Sequence, residues 1–150
     1  LSRLNELYLG NNNVTDEGCI YLSSLLKHLP NLKWLNLCRN SISSVGCFHL
    51  SESLVYLKKL EYLVLCNNMI DCIGCKYLGD SMKELNHITN IYFNNNNIKI
   101  IGLYYIVEGI IMSNTINSIY MMGNYIKSNQ VSSLSNKYKD VKNIKSLLFY

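Results

Sequence analysis

The chain has no alanine, a single proline, and charged residues at only 16% of its 150 positions. The missing alanine, beside twenty-one asparagines and abundant Lys, Ile and Tyr, is the compositional mark of an AT-rich genome and carries no functional message. A long apolar run is also lacking. The longest, 100–112, is thirteen residues and contains Glu108, too short for a membrane-spanning helix. Nor is there a strong charge of either sign. Fourteen Lys and Arg against ten Asp and Glu leave a net charge of +4, too mild to point to nucleic acid. Five of the positive charges (Lys127, Lys137, Lys139, Lys142 and Lys145) lie near the C-terminus and read as a solvated face rather than a phosphate groove.

Signatures of catalysis and of metal binding are equally sparse. The sequence has no Ser/His/Asp arrangement and no Gly-rich phosphate loop. Cys72-Ile73-Gly74-Cys75 has CxxC spacing, but no second pair accompanies it, and His28, His49 and His87 have no ligand spacing. The expectation is therefore a non-enzyme without catalytic residues, metal or cofactor. Asp16, Glu17, Asp71 and Asp80 read as turn and helix-start residues, where negative charge suits a helix N-terminus. Asn13-Val14-Thr15 is a glycosylation sequon of the kind an Asn-rich chain contains by chance.

What the sequence does contain is a repeat. Leu4, Leu32, Leu60, Ile88, Ile116 and Ile144 stand twenty-eight residues apart without insertion or deletion. With these as position 1, position 4 is Leu7, Leu35, Leu63, Ile91 and Ile119, and position 6 is Leu9, Leu37, Leu65, Phe93 and Met121. Position 9 is always asparagine: Asn12, Asn40, Asn68, Asn96 and Asn124. Position 15 is Gly18, Gly46, Gly74 and Gly102, then Gln130. Apolar ladders continue at positions 11, 16, 19, 23 and 26, broken only by Ser113. Positions 4 and 6 alternate as in a strand, whereas 16, 19, 23 and 26 are spaced as one face of a helix. Each unit is then strand, turn and helix, and buries its apolar face only by stacking on its neighbours. The asparagine amide, carrying donors and an acceptor, is expected to satisfy the turns above and below it. The glycine is expected to let the helix start close to the turn.

The run Leu4-Asn5-Glu6-Leu7-Tyr8-Leu9-Gly10-Asn11-Asn12-Asn13-Val14 matches LxxLxLxxNxI and resembles the leucine-rich repeat. The repeat length and the full helical stripe resemble its ribonuclease-inhibitor-like subclass. The resemblance covers the whole chain and implies an α/β solenoid: a right-handed arc with a parallel sheet on the concave side and helices on the convex side. Residues 1–150 are expected to be a single domain of five full repeats from Leu4 plus a sixth strand at 144–150. Neither end carries a polar cap, and the first residue is Leu1, so a piece of a longer array is expected, with neighbouring repeats or domains packed at both ends.

On such a scaffold positions 3, 5, 7 and 8 face the concave side. They supply Tyr8, Trp34, Arg39, Tyr62, Tyr92 and Tyr120, residue types that dominate interface hot spots. Trp34 and Tyr62, neighbours at the same position, are the leading pair. The expected function is a protein-protein interaction module that binds a partner protein on its concave sheet. Family resemblance offers two alternatives: a GTPase-activating protein using Arg39, or the ligand-sensing repeats of an innate-immune-type receptor. A second, convex patch is expected at Tyr104, Val107 and Ile111, which lie outside the core stripe of their helix. Cys19, Cys47 and Cys75 fall in a buried ladder, and Cys38 and Cys66 are stacked on the concave face. Free thiols fit a reducing, cytoplasmic setting in a eukaryotic cell, with cytoskeletal or ciliary association open to it.

Overall fold

The computed structural model describes residues 3–111 and 115–138. Five three-residue strands, β1 (Glu6–Tyr8), β2 (Trp34–Asn36), β3 (Tyr62–Val64), β4 (Asn90–Tyr92) and β5 (Ser118–Tyr120), form one parallel sheet in sequential order. The register follows the repeat: Trp34 pairs with Tyr62, Leu35 with Leu63 and Asn36 with Val64. Parallel neighbours need a crossover. Here α1 (Asp16–Leu26), α2 (Ser44–Leu54), α3 (Cys72–Met82), α4 (Ile100–Ile110) and α5 (Ser128–Lys137) provide it. Strands lie about 4.8 Å apart, whereas packed helices need about 8–10 Å. Two layers of unequal spacing curve, with the sheet on the inside. The expected sixth strand and the ladder break at Ser113 lie outside the described residues.

The ladders form the core. Leu35, Leu63, Ile91 and Ile119 at position 4, and Cys47, Cys75 and Leu103 at position 16, are buried between sheet and helices. In the first unit Leu4, Leu7, Leu9 and Val14 are only partly covered, because no repeat precedes them among the described residues.

The asparagine ladder works in one direction. Asn68 Oδ1 accepts from Ile42 N–H at 3.1 Å, while its Nδ2 donates to Leu37 O at 3.0 Å, Leu65 O at 3.2 Å and Cys66 O at 3.3 Å. Asn40, Asn96 and Asn124 repeat this pattern. Each amide thus joins its own turn to the preceding one, not to both neighbours. Asn12, with no earlier turn described, is exposed, and its side-chain amide donates to Gly10 O within its own turn.

Helix starts are tied across repeats as well. Thr15, Ser43 and Asp71 cap α1, α2 and α3. Asp16 does more than begin α1: its Oδ1 accepts from the N–H groups of Ser43 and Gly46, both at 2.8 Å, and its Oδ2 from Ser43 Oγ at 2.5 Å, so it closes the start of the next helix. A Cβ on Gly46 would stand 2.5 Å from that carboxylate, which is why glycine suits the position. Asp80 departs from expectation: it lies within α3 and pairs with Lys83 at 2.6 Å.

Small residues set the helix spacing. Gly79 of α3 and Gly109 of α4 face each other so closely that a Cβ on either would overlap the other helix's backbone. This contact joins position 20 of one unit to position 22 of the next. Val107 occupies position 20 in α4 and is fully buried, part of the core cluster. The expected open stripe of Tyr104, Val107 and Ile111 is therefore corrected. Val107 has no exposure, while Tyr104 and Ile111 are half-buried, and Lys137 of α5 lies 5.0 Å above the Tyr104 ring.

Candidate protein-binding face

Positions 3 and 5 flank the buried middle residue of each strand, so their side chains project from the inner face of the sheet. The in-register pair Trp34 and Tyr62 stacks with ring centroids 4.2 Å apart and planes 20° apart. Tyr8 approaches Trp34 from the other side at 6.2 Å, tilted by 34°. Tyr92 and Tyr120 stack at 4.4 Å, nearly parallel at 4°. The six residues read from the sequence thus divide into a trio, a pair and Arg39. Between β3 and β4 the aromatic row shifts from position 3 to position 5, since Tyr62 pairs with Asn90 and Val64 with Tyr92.

The rings spend their faces on one another. A molecule in the concavity meets ring edges, hydroxyls and amides instead. The Tyr8 hydroxyl donates to Glu6 Oε2 at 3.0 Å, and Tyr8 remains 55% exposed. Burial and the neighbouring Tyr120 hydroxyl raise the Tyr92 pKa above its usual value. Asn95 Nδ2 donates to Asn67 Oδ1 at 3.2 Å, extending a row of amides beside the rings. The Trp34 indole N–H is shielded from solvent and has no acceptor among the described residues.

Backbone geometry singles out Arg39. Position 8 is left-handed in every unit: φ is 60° at Asn11, 56° at Arg39, 54° at Asn67, 55° at Asn95 and 72° at Gly123. Asparagine and glycine tolerate this region, but for other L-residues it costs roughly 1–2 kcal/mol. Asparagine there has a conformational reason; arginine does not. Arg39 is exposed and forms no ion pair among the described residues. Arg39→Asn is expected to raise stability by about 1 kcal/mol, visible as a higher urea midpoint. An unchanged or lower midpoint would show that the guanidinium contributes to folding.

All six cysteines are free thiols. The CxxC pair resolves as the repeat implies, with Cys75 buried in the ladder beside Cys47 and Cys72 half-buried at the start of α3. Cys66 lies on the inner face but is largely covered, and burial pushes its thiol up to about 11.

No family model and no curated protein matches this sequence. Solved structures do match. One is Leiomodin-1 Actin-Binding Site 2, with a TM-score of 0.66 and 14% identity over 99% of this chain and 72% of that one. Another is an internalin from Listeria monocytogenes, with a TM-score of 0.57 and 27% identity over 89% of this chain and 33% of that one. The fold is a leucine-rich-repeat solenoid. This chain spans a third of the length of the internalin chain it matches.

Proposed function

We propose that this chain is a protein-interaction module that takes a partner protein in its concave sheet. The observation that carries the reading is the ring ladder on the open inner face, two stacked groups that include Tyr8 at 55% exposure and the lone tryptophan of the chain. Cross-strand aromatic pairs also stabilise sheets, but the core ladders already fill the interior. A rigid array loses little ordering entropy on binding. The structurally similar domain of leiomodin-1 is an actin-binding site, which supports a protein partner and makes actin the first candidate to test. The eleven-residue helices α1 to α4 support assignment to the ribonuclease-inhibitor-like subclass. Six free thiols support a reducing compartment.

The test uses two baits, the chain and its W34A/Y62A variant, matched by circular dichroism and presented to native extract and to purified actin. Retention by the first bait and at least tenfold less by the second is the expected result, since hot-spot truncations cost about 2 kcal/mol or more each. Equal retention would remove the concave ladder from the binding account. GTP hydrolysis stimulated by the chain and lost in Arg39→Ala would replace the reading with the GTPase-activating one.

A further inference from the structure

A continuous row of exposed apolar residues on the helix side lies where the sequence pattern does not point. Position 14, in the first turn of each helix, is Glu17 in α1 and Asn129 in α5, but Val45, Ile73 and Ile101 in the three helices between. These side chains are 55%, 57% and 57% exposed. The first turn of a helix favours Asp or Glu, through the helix dipole, and α2, α3 and α4 have no acidic residue there. The starts of α2 and α3 already meet the carboxylates of Asp16 and Asp71, so position 14 has no capping duty there, and three consecutive repeats leave an apolar side chain in solvent at one surface row. Seven residues further along each helix stands an exposed acid: Glu52, Asp80 and Glu108. Two of these have weak local partners, Asp80 with Lys83 at 2.6 Å and Glu52 with His49 at 3.6 Å. Exposed pairs of this kind contribute little and yield readily to a stronger partner.

We infer that the convex face of α2 to α4 docks a basic amphipathic α-helix of a partner protein, lying across the three helices. The geometry and the charge select that occupant. Packed helices lie about 8–10 Å apart, and seven residues of a crossing helix advance about 10.5 Å, so apolar residues at heptad spacing meet Val45, Ile73 and Ile101 in turn. The acidic row lies seven residues, again about 10.5 Å, from the apolar row. That matches the width of one helix, so the docked helix covers the apolar row with one edge and brings lysines or arginines on its flank over the carboxylates. This surface is on the opposite side from the aromatic sheet, and its test is independent of that reading.

The probe is a fluorescein-labelled synthetic helix about three heptads long, with Leu at heptad spacing and Lys along one flank. A scrambled version and a version with Glu for Lys serve as controls. Fluorescence anisotropy is expected to show binding of the Lys helix alone, weakening as salt is raised. V45S/I73S/I101S should weaken it about tenfold or more, and E52Q/D80N/E108Q should remove most of the salt dependence. All six positions are exposed, and circular dichroism checks the fold of both variants. Should the serine variant fail to fold, the charge variant still decides. Equal binding of all three peptides, or indifference to E52Q/D80N/E108Q, would overturn the inference. So would self-association of the chain in light scattering that V45S/I73S/I101S abolishes, because a second copy would then own the surface.

Discussion

Asn68→Ala is expected to lower the stability of this chain by about 3 kcal/mol, against less than about 1 kcal/mol for Asn12→Ala. Both are asparagines at the same repeat position, so composition and propensity predict no difference. Asn68 is buried, and its amide serves Ile42 N–H and three carbonyls, those of Leu37, Leu65 and Cys66. Removing it leaves Ile42 N–H without an acceptor in a place water does not reach, at a cost of roughly 1–3 kcal/mol, and takes one of two donors from each carbonyl, which keep Asn40 Nδ2, Asn96 Nδ2 and Arg39 N–H. Asn12 is exposed, and water replaces its bond to Gly10 O. Urea unfolding of the two variants measures the contrast. Equal losses would mean that the ladder is worth no more than the local turn.

Alkali is expected to destabilise the fold steeply, by about 6 kcal/mol between pH 8 and pH 10. The cause is four covered thiols, Cys19, Cys47 and Cys75 in the helix-side ladder and Cys66 on the inner face. Burial pushes the Cys19 thiol up to about 12 and Cys66 up to about 11, and raises Cys47 and Cys75 well above the usual value. The folded chain therefore keeps protons that the unfolded chain releases near pH 8.5–9. The contribution is fully present below that range. It is lost as pH rises toward the folded values, at about 1.4 kcal/mol per pH unit for each thiol. A loss of this size is comparable to the whole stability of many domains. Urea midpoints across the range, taken in a reductant, follow it, and Cys47→Val should flatten the slope by about a quarter. A midpoint that holds steady to pH 10 would mean that solvent reaches the ladder in the native state.

The sequence by itself determined the repeat, the strand-turn-helix unit and the faces of its residues. Side-chain direction follows local periodicity, and twenty-eight-residue spacing carries that direction from one unit to the next. Leu35, Cys47 and Ile91 could be placed in the core, and Trp34 beside Tyr62 on the inner sheet, from spacing alone. What lay beyond the sequence depended on distances between units. Val107 is buried because of how the helices pack, and the Gly79–Gly109 contact shows how tightly they do so. The small residues at positions 20 and 22 are the signal that would have revealed it. Asp16 caps the helix after its own, while Asn40, Asn68, Asn96 and Asn124 reach toward the preceding turn, contacts between units that spacing along one unit does not specify. The rings could be assigned to the concave face from their positions. That they would turn their faces on each other, leaving edges and hydroxyls to a partner, was decided by a strand separation close to the thickness of a stacked ring pair.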